Sequence, residues 1–476
     1  MSTGVAEAVG VVLRTGLPGR SRATRRDIDV VVGAAPLEVG TRRSASYLSA
    51  LSWSLAHAGR SQQALSIAGR QVLPLLGSAA GQVSDFNQAE CYMAVGEVFL
   101  LSGRLGDSAA CARFAADYAS VDEAYRFPSG ALLAATQALS GEFAAAAGTV
   151  GSLADLDRGC VWSGTSWMVT LAVVQIGFRN GDAASAERAI EKLALLEGPS
   201  LVERVVVRLS GAWTHAARGD LRAALAEAEM LTHGTDSHNC PRFLLDLALS
   251  VEAVAMAHLG EPGAILKLIG DRASPQNHSV CFELHRAGVH LYLGEPRKAL
   301  AVTEVCVRDC PEHSLRTFPS VLVRRAIAHE MLGHAKLADA DFSRATHLAS
   351  ELGSLRPVLG LPMDILERLY YRLLHNEPGI REALTKRIPE SGVFPEPTPL
   401  GFDVTPLSDR EQVLAAWLAT DLTFAAIASK MSVSPNTVKT QVRSLYRKLG
   451  VETRQGAVER LDHTGLSLDG LRLAST

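Results

Sequence analysis

The sequence predicts an all-α protein, an array of helical hairpins followed by a compact four-helix unit near the carboxyl end. Three observations predict it. Turn glycines recur at Gly59, Gly103, Gly141, Gly181, Gly219, Gly260, Gly294 and Gly333, at separations of 34 to 44 residues, and an alanine follows five positions after most of them: Ala64, Ala146, Ala186, Ala224, Ala299 and Ala338. Apolar residues keep helical spacing on both sides of these glycines, as in Tyr47, Leu48, Leu51, Leu55 and Ala58, and again in Leu221, Ala224, Leu225 and Ala228. Between Leu407 and Leu461, three further segments carry their own start signals and apolar faces.

Each part of the array has a physical reason. Two antiparallel helices need a left-handed residue between them, which glycine supplies without steric cost, and a small alanine lets the second helix pack closely on the first. A hairpin with an apolar outer face must stack on its neighbours, which builds an α-solenoid. In residues 1–43, Gly, Pro and Arg interrupt every apolar run; Asp27 to Val32 reads as a strand or a helix fragment, and partial order is expected. The repeat region spans 44–386. Pro389, Pro395, Pro397, Pro399 and Pro406 mark 387–406 as a semi-rigid linker to a domain at 407–465, which a tail at 466–476 follows.

In the small domain, Ser408 and Glu411 form a capping box, after which Val413, Leu414, Trp417 and Leu418 share one helical face. Thr423 caps a second helix whose Ile427, Ala428 and Met431 face inward. Ser434 caps a third, Pro435 takes its first position, and Gly450 stops it. No acidic residue occurs from Ser434 to Leu449, while Lys439, Arg443, Arg447 and Lys448 give that helix a local charge of +4. Val438, Val442, Leu445 and Leu449 hold its inner side, leaving Asn436, Thr437, Lys439, Thr440, Arg443 and Arg447 outward. Such groups suit phosphates and base edges. The short turn from Met431 to Ser434 gives a helix-turn-helix geometry in which the third helix enters the major groove.

The run from Ser434 through Thr437, Val438, Lys439, Val442, Arg443, Lys448 and Leu449 to Val451, with Leu407 to Glu411 before it and Arg454 to Val458 after it, resembles the LuxR/NarL-type DNA-binding domain. The resemblance implies base reading by Lys439, Thr440 and Arg443. It implies backbone contacts from Asn436, Thr437 and Lys448, to which Arg447 is added as a further phosphate contact. It also implies a fourth helix that pairs two subunits on DNA through Arg454, Ala457, Val458 and Leu461. The hairpins resemble tetratricopeptide repeats, whose period is about 34, and their longer spacing is similar to the degenerate repeats of MalT-like regulators.

The function these resemblances imply is sequence-specific transcription control, with an activator as the expected sense. The partners expected are double-stranded DNA, a second copy of the chain, RNA polymerase, and an unknown effector or protein at the repeats. The competing reading is a TPR-like scaffold whose terminal domain serves self-association.

Other classes are disfavoured. MalT-like regulators carry an ATPase module, but no Gly-Lys-Ser or Gly-Lys-Thr is present, and Gly16-Leu-Pro-Gly19-Arg20-Ser21 lacks the spacing and the lysine of a phosphate loop. No strand and helix alternation suggests a receiver domain, and no Ser-His-Asp or paired-carboxylate constellation stands out. No enzyme activity and no cofactor are therefore expected. The whole chain carries a net charge of -3, and residues 401–476 hold nine Lys and Arg against eight Asp and Glu, so DNA affinity must come from local arrangement.

Seven scattered cysteines suggest reduced thiols, and no signal peptide or membrane-length apolar run is apparent, so a cytoplasmic location without membrane contact is expected. His238 with Cys240 and His278 with Cys281 could together complete a zinc site, but their spacing matches no common zinc module and no metal is expected. Cys306 and Cys310, one helical turn apart, are read as core residues rather than a redox pair. Trp53, Trp162, Trp167 and Trp213 are expected to fill seams between hairpins instead of lining a ligand groove.

Overall fold

The computed structural model describes residues 3–14, 23–33, 42–78, 85–118, 123–154, 166–180, 182–195, 200–235, 237–308, 310, 312–352, 363–377, 409–420, 422–449, 453–455 and 457–458. Among them there is no strand. The chain opens with α1 (Thr3–Leu13) and α2 (Arg25–Gly33), so Asp27 to Val32 lies within a helix. The reason is local: Thr24 Oγ1 accepts from the Asp27 amide at 3.3 Å while Asp27 Oδ2 accepts from the Thr24 amide at 2.8 Å, a reciprocal cap. Val31 and, from α1, Val9 and Val12 are buried in the same core as the hairpins, while residues 15–22 and 34–41 lie outside the described residues.

The array follows as antiparallel pairs. They are α3 (Arg42–His57) with α4 (Ser61–Ile67), extended through a π-helical turn at Ala68–Val72 into α5 (Leu73–Ser78); α6 (Asp85–Leu101) with α7 (Leu105–Asp117); α8 (Arg126–Ser140) with α9 (Phe143–Ala154); and α10 (Ser166–Asn180) with α11 (Ala183–Ala194). Then come α12 (Leu201–Ala217) with α13 (Leu221–Thr232), α14 (Arg242–His258) with α15 (Pro262–Ile269), α16 (Phe282–Tyr292) with α17 (Pro296–Arg308), and α18 (Phe318–Met331) with α19 (Ala335–Glu351). Among the described residues, α20 (Met363–Asn376) closes the series. It docks through Leu369 and Leu373 and through Arg372, which binds Glu330 at 2.6 Å and Asp339 at 2.7 Å.

The glycine and alanine rhythm marks these hairpins. Gly59, Gly103, Gly141, Gly219, Gly260, Gly294 and Gly333 all have φ between +72° and +92°; Gly181 lies outside the described residues. Ala64, Ala146, Ala186, Ala224, Ala299 and Ala338 are at most 2% exposed, so each second helix sits against its first through a methyl group. Trp53, Trp167 and Trp213 are buried in the seams, and Trp162 lies outside the described residues.

A longer-range feature shapes the array. The Arg242 amide donates to Ser61 Oγ, 181 positions earlier, at 3.3 Å, and Ser314 Oγ donates to the Ser140 carbonyl, 174 positions earlier, at 2.9 Å. At both places a turn glycine makes room: a Cβ on Gly59 would lie 2.6 Å from the Asn239 oxygen, and one on Gly141 would lie 2.7 Å from the Leu315 carbonyl carbon. The hairpins therefore wind into a superhelix whose successive turns touch, backbone on backbone. Inside the first turn, Glu97 accepts from Trp53 Nε1 at 2.7 Å and lies 2.7 Å from His57 Nε2, and the Trp53 and His57 rings stack at 3.7 Å.

Candidate nucleic-acid interface

The carboxyl-terminal unit contains α21 (Asp409–Leu418), α22 (Phe424–Lys430) and α23 (Pro435–Leu449). Thr423 caps α22 by accepting from the Ala426 amide, and Ser434 caps α23 by accepting from the Thr437 amide at 3.1 Å. Both caps are the ones the sequence suggests; Ser408, Gly450 and Leu461 lie outside the described residues. The core is Leu414, Ala415, Leu418, Ile427, Ala428, Val438, Val442 and Leu445, with Met431 and Trp417 partly buried around it.

Val413 is a correction. It is 41% exposed, because the buried stripe of α21 runs through Leu414, Ala415 and Leu418. Along α23, Val438, Val442 and Leu445 are buried at 4% exposure or less. Asn436, Thr437, Lys439, Thr440 and Arg443 are all exposed. Lys439 and Arg443 stand one helical turn apart, and among the described residues neither has an acidic partner. Thr440 Oγ1 donates to the Asn436 carbonyl at 3.0 Å, and the Thr437 and Ser434 hydroxyls bond each other at 2.8 Å, so the amino-terminal half of the face is held in order. Arg447 and Lys448 belong to α23, but their side chains lie outside the described residues. A basic, hydrogen-bonding helix face backed by two shorter helices is the shape that enters a major groove.

Residues 405–461 match the family described as bacterial regulatory proteins, luxR family. This segment is a LuxR-family domain. It gives the chain the class of a DNA-binding transcription regulator. No curated protein matches the chain.

The LuxR-family domain uses two residues in ways the sequence did not suggest. Arg454, placed by resemblance in a pairing helix, turns its guanidinium onto the end of α21. Nε donates to the Leu418 carbonyl at 2.8 Å, Nη1 to the Leu422 carbonyl at 2.7 Å, and Nη2 to the Thr420 carbonyl. The Leu418 carbonyl is one that a helix end leaves unpaired, and a cation there also meets the negative end of the helix dipole; the Thr420 and Leu422 carbonyls belong to the turn that follows. Ala457 is fully buried in the domain's core, and Val458 is partly buried.

The turn between α22 and α23 contains the second. Ser432 has φ +53°, a left-handed conformation that costs a residue with a Cβ. Ser432→Gly is expected to stabilise the LuxR-family domain by roughly 0.5–1 kcal/mol, after allowance for the greater freedom of glycine in the unfolded chain. Differential scanning of the full chain checks this; a domain transition that falls in temperature would refute it.

Two groupings in the array also escaped sequence reasoning. His278 and Cys281 do not meet His238 and Cys240: His238 is exposed, and the Cys240 thiol is directed to the Pro241 carbonyl. They meet Cys306 and His313 instead. Cys310 lies past the end of α17 and donates to the Gln276 carbonyl at 3.5 Å, so it does not pair with Cys306. The second grouping is a cleft between α14, α15, α16 and α18, walled by Ala253, Ala257, Ile265, Leu284, Val289 and Arg324. Among the described residues Arg324 Nε has no hydrogen-bond partner. Burial pushes the Arg324 guanidinium down to about 10, which leaves it cationic, and pushes the neighbouring His285 down to about 3, which leaves it neutral. Among the described residues no helix is long and apolar enough to cross a membrane.

Proposed function

We propose that the chain is a sequence-specific transcriptional activator that binds double-stranded DNA as a homodimer and responds to an effector held by its helical repeats. The observation that carries the DNA-binding part is the exposed row on α23, with Val438, Val442 and Leu445 fastening the opposite side to the core. Lys439, Thr440 and Arg443 read bases, while Asn436, Thr437, Arg447 and Lys448 hold phosphates. Because Arg454 and Ala457 are engaged within the domain, pairing of two copies falls on Val458 and Leu461.

Residues 44–386 act as the sensor and 387–406 as the tether to a DNA-binding domain at 407–465. The cleft at Arg324 supports effector sensing: apolar walls with one cation of unfilled hydrogen-bonding capacity suit a small apolar molecule bearing an anionic group. Effector binding shifts the population toward an arrangement in which both domains engage adjacent half-sites and present a surface to RNA polymerase.

A mobility-shift titration on selected and random duplexes, repeated at several salt concentrations, tests the reading. Binding is expected to weaken steeply as salt rises. Arg443→Ala should cost about 1–3 kcal/mol on the preferred site and relax its sequence preference, whereas Lys448→Ala should weaken all duplexes alike. Absence of binding even at low salt would leave a self-associating scaffold as the better description.

A further inference from the structure

We propose that His278, Cys281, Cys306 and His313 form a buried tetrahedral site for a zinc-class divalent ion. One donor atom from each of the four lies within 4.8 Å of all the others, and all four residues are buried. The Cys281 and Cys306 sulfurs are 3.7 Å apart, and Cys306 Sγ is 3.6 Å from His278 Nδ1. Tetrahedral zinc, with Zn–S near 2.3 Å and Zn–N of about 2.0–2.1 Å, requires sulfur–sulfur edges of about 3.8 Å and sulfur–nitrogen edges of about 3.6 Å. These two edges already match, and the others need to close from at most 4.8 Å.

Independent observations point the same way. His313 is 7% exposed, its Nδ1 lies 3.2 Å from the Ser314 carbonyl, and among the described residues its Nε2 has no hydrogen-bond partner. An Nδ1–H held on a backbone carbonyl leaves the Nε2 lone pair for a metal, the outer arrangement common to metal-binding histidines. His278 has φ +50°, a strained conformation for a residue other than glycine. Two hydrogen bonds tie its loop to the one carrying His313: Thr317 Oγ1 to the His278 carbonyl and the Ser314 amide to the Asn277 carbonyl, both at 2.7 Å.

Cys306 Sγ has the Cys281 sulfur and His278 Nδ1 within hydrogen-bond reach, so without an ion the donors are held together by shared protons. Metal binding would release thiol protons to solvent. Glu283 borders the site, with Oε2 3.5 Å from His278 Nδ1 and 3.7 Å from Cys281 Sγ, and Arg286 holds its other oxygen at 3.3 Å. Four protein donors in a buried site leave no open position for catalysis, so the site is structural or regulatory.

Its placement gives it leverage. Cys281 immediately precedes α16, Cys306 lies in the last turn of α17, and His278 and His313 lie in the loops before α16 and α18. The His313 loop is also the one that reaches back to the previous superhelical turn through Ser314 and through Arg316, whose Nε donates to Gln175 Oε1 at 2.9 Å. An ion at this site would staple two hairpins together and set that loop.

The test uses the full chain, reduced, stripped with a chelator and titrated with Co²⁺, then with Zn²⁺. One cobalt ion per chain should give the visible bands of a tetrahedral ion with thiolate charge transfer, and one zinc ion should displace it. Cys306→Ser and His313→Gln should each weaken binding by more than about tenfold, while Cys240→Ser and Cys310→Ser should leave it unchanged. Circular dichroism on every variant separates lost ligation from lost folding, and the unmodified chain carries the decision. No cobalt uptake by that chain, an octahedral spectrum, or unchanged affinity in folded Cys306→Ser would overturn the proposal; so would formation of a Cys281–Cys306 disulfide in a chain that takes up no metal. No arm involves DNA, so the outcome is separate from that of the DNA-binding reading.

Discussion

Gly141→Ala is expected to destabilise the hairpin array by about 4 kcal/mol or more, while Gly219→Ala costs only about 1–2 kcal/mol. Both glycines have positive φ, +92° and +80°, so the intrinsic strain of adding a side chain is similar. Their surroundings differ. Around Gly219 an added Cβ meets nothing within 4 Å among the described residues, whereas at Gly141 it would lie 2.7 Å from the Leu315 carbonyl carbon and nearer still to the Arg316 amide nitrogen. Backbone cannot rotate aside as a side chain can, so the loop at 314–316 must lift. Lifting breaks the bond from Ser314 to the Ser140 carbonyl at 2.9 Å and the bond from Arg316 to Gln175 at 2.9 Å, and it takes the Arg316 guanidinium off the Trp213 ring, 5.7 Å away. Hydrogen bonds of this kind contribute about 1 kcal/mol each, and up to about 3 kcal/mol where a charge takes part. Urea unfolding of the two variants and the parent, followed by far-ultraviolet circular dichroism, measures the difference. Equal losses at the two positions would show that the superhelical turns do not touch.

Glu97→Ala comes next in size, with an expected loss of about 3–5 kcal/mol. Glu97 is 7% exposed, and its two oxygens are shared between Trp53 Nε1 and His57 Nε2, each at 2.7 Å. Removing the carboxylate leaves two buried polar groups of α3 without partners, and the stacked Trp53 and His57 rings hold them where water cannot replace it. Glu97→Gln keeps the shape and one acceptor, so it should lose less than Glu97→Ala. The same urea experiment applies; a Glu97→Ala protein within about 1 kcal/mol of the parent would mean the network is not a buried anchor.

Several features were legible because their cause is local. A cap needs a hydroxyl or carboxylate and an amide three residues apart, so Thr423 and Ser434 declare the starts of α22 and α23 from sequence alone. The exposed row on α23 follows from the spacing of Val438, Val442 and Leu445, since a helix buries every third or fourth residue. Val413 was misplaced because periodicity fixes a stripe only to within a residue, and the choice between Val413 and Ala415 belongs to the neighbouring helix. The capping pair at Thr24 and Asp27 was a usable signal for α2, obscured by the glycines and prolines around it.

Sequence spacing cannot bring together groups that only a superhelix juxtaposes. His278 and Cys281 are three residues apart but 25 or more from their other partners; Cys306 and His313 reach them through the stacking of α16, α17 and α18. By itself, then, the sequence determined the hairpin rhythm, the helix caps and the charged face of α23, because these depend on interactions within one turn or one hairpin. The tertiary structure alone decided that Gly59 and Gly141 face the backbone of the next superhelical turn, that Arg454 closes the end of α21, and that two thiols and two imidazoles converge. The reason is that rotation accumulates from hairpin to hairpin: each junction is a local matter, but what meets after about 175 residues is their sum.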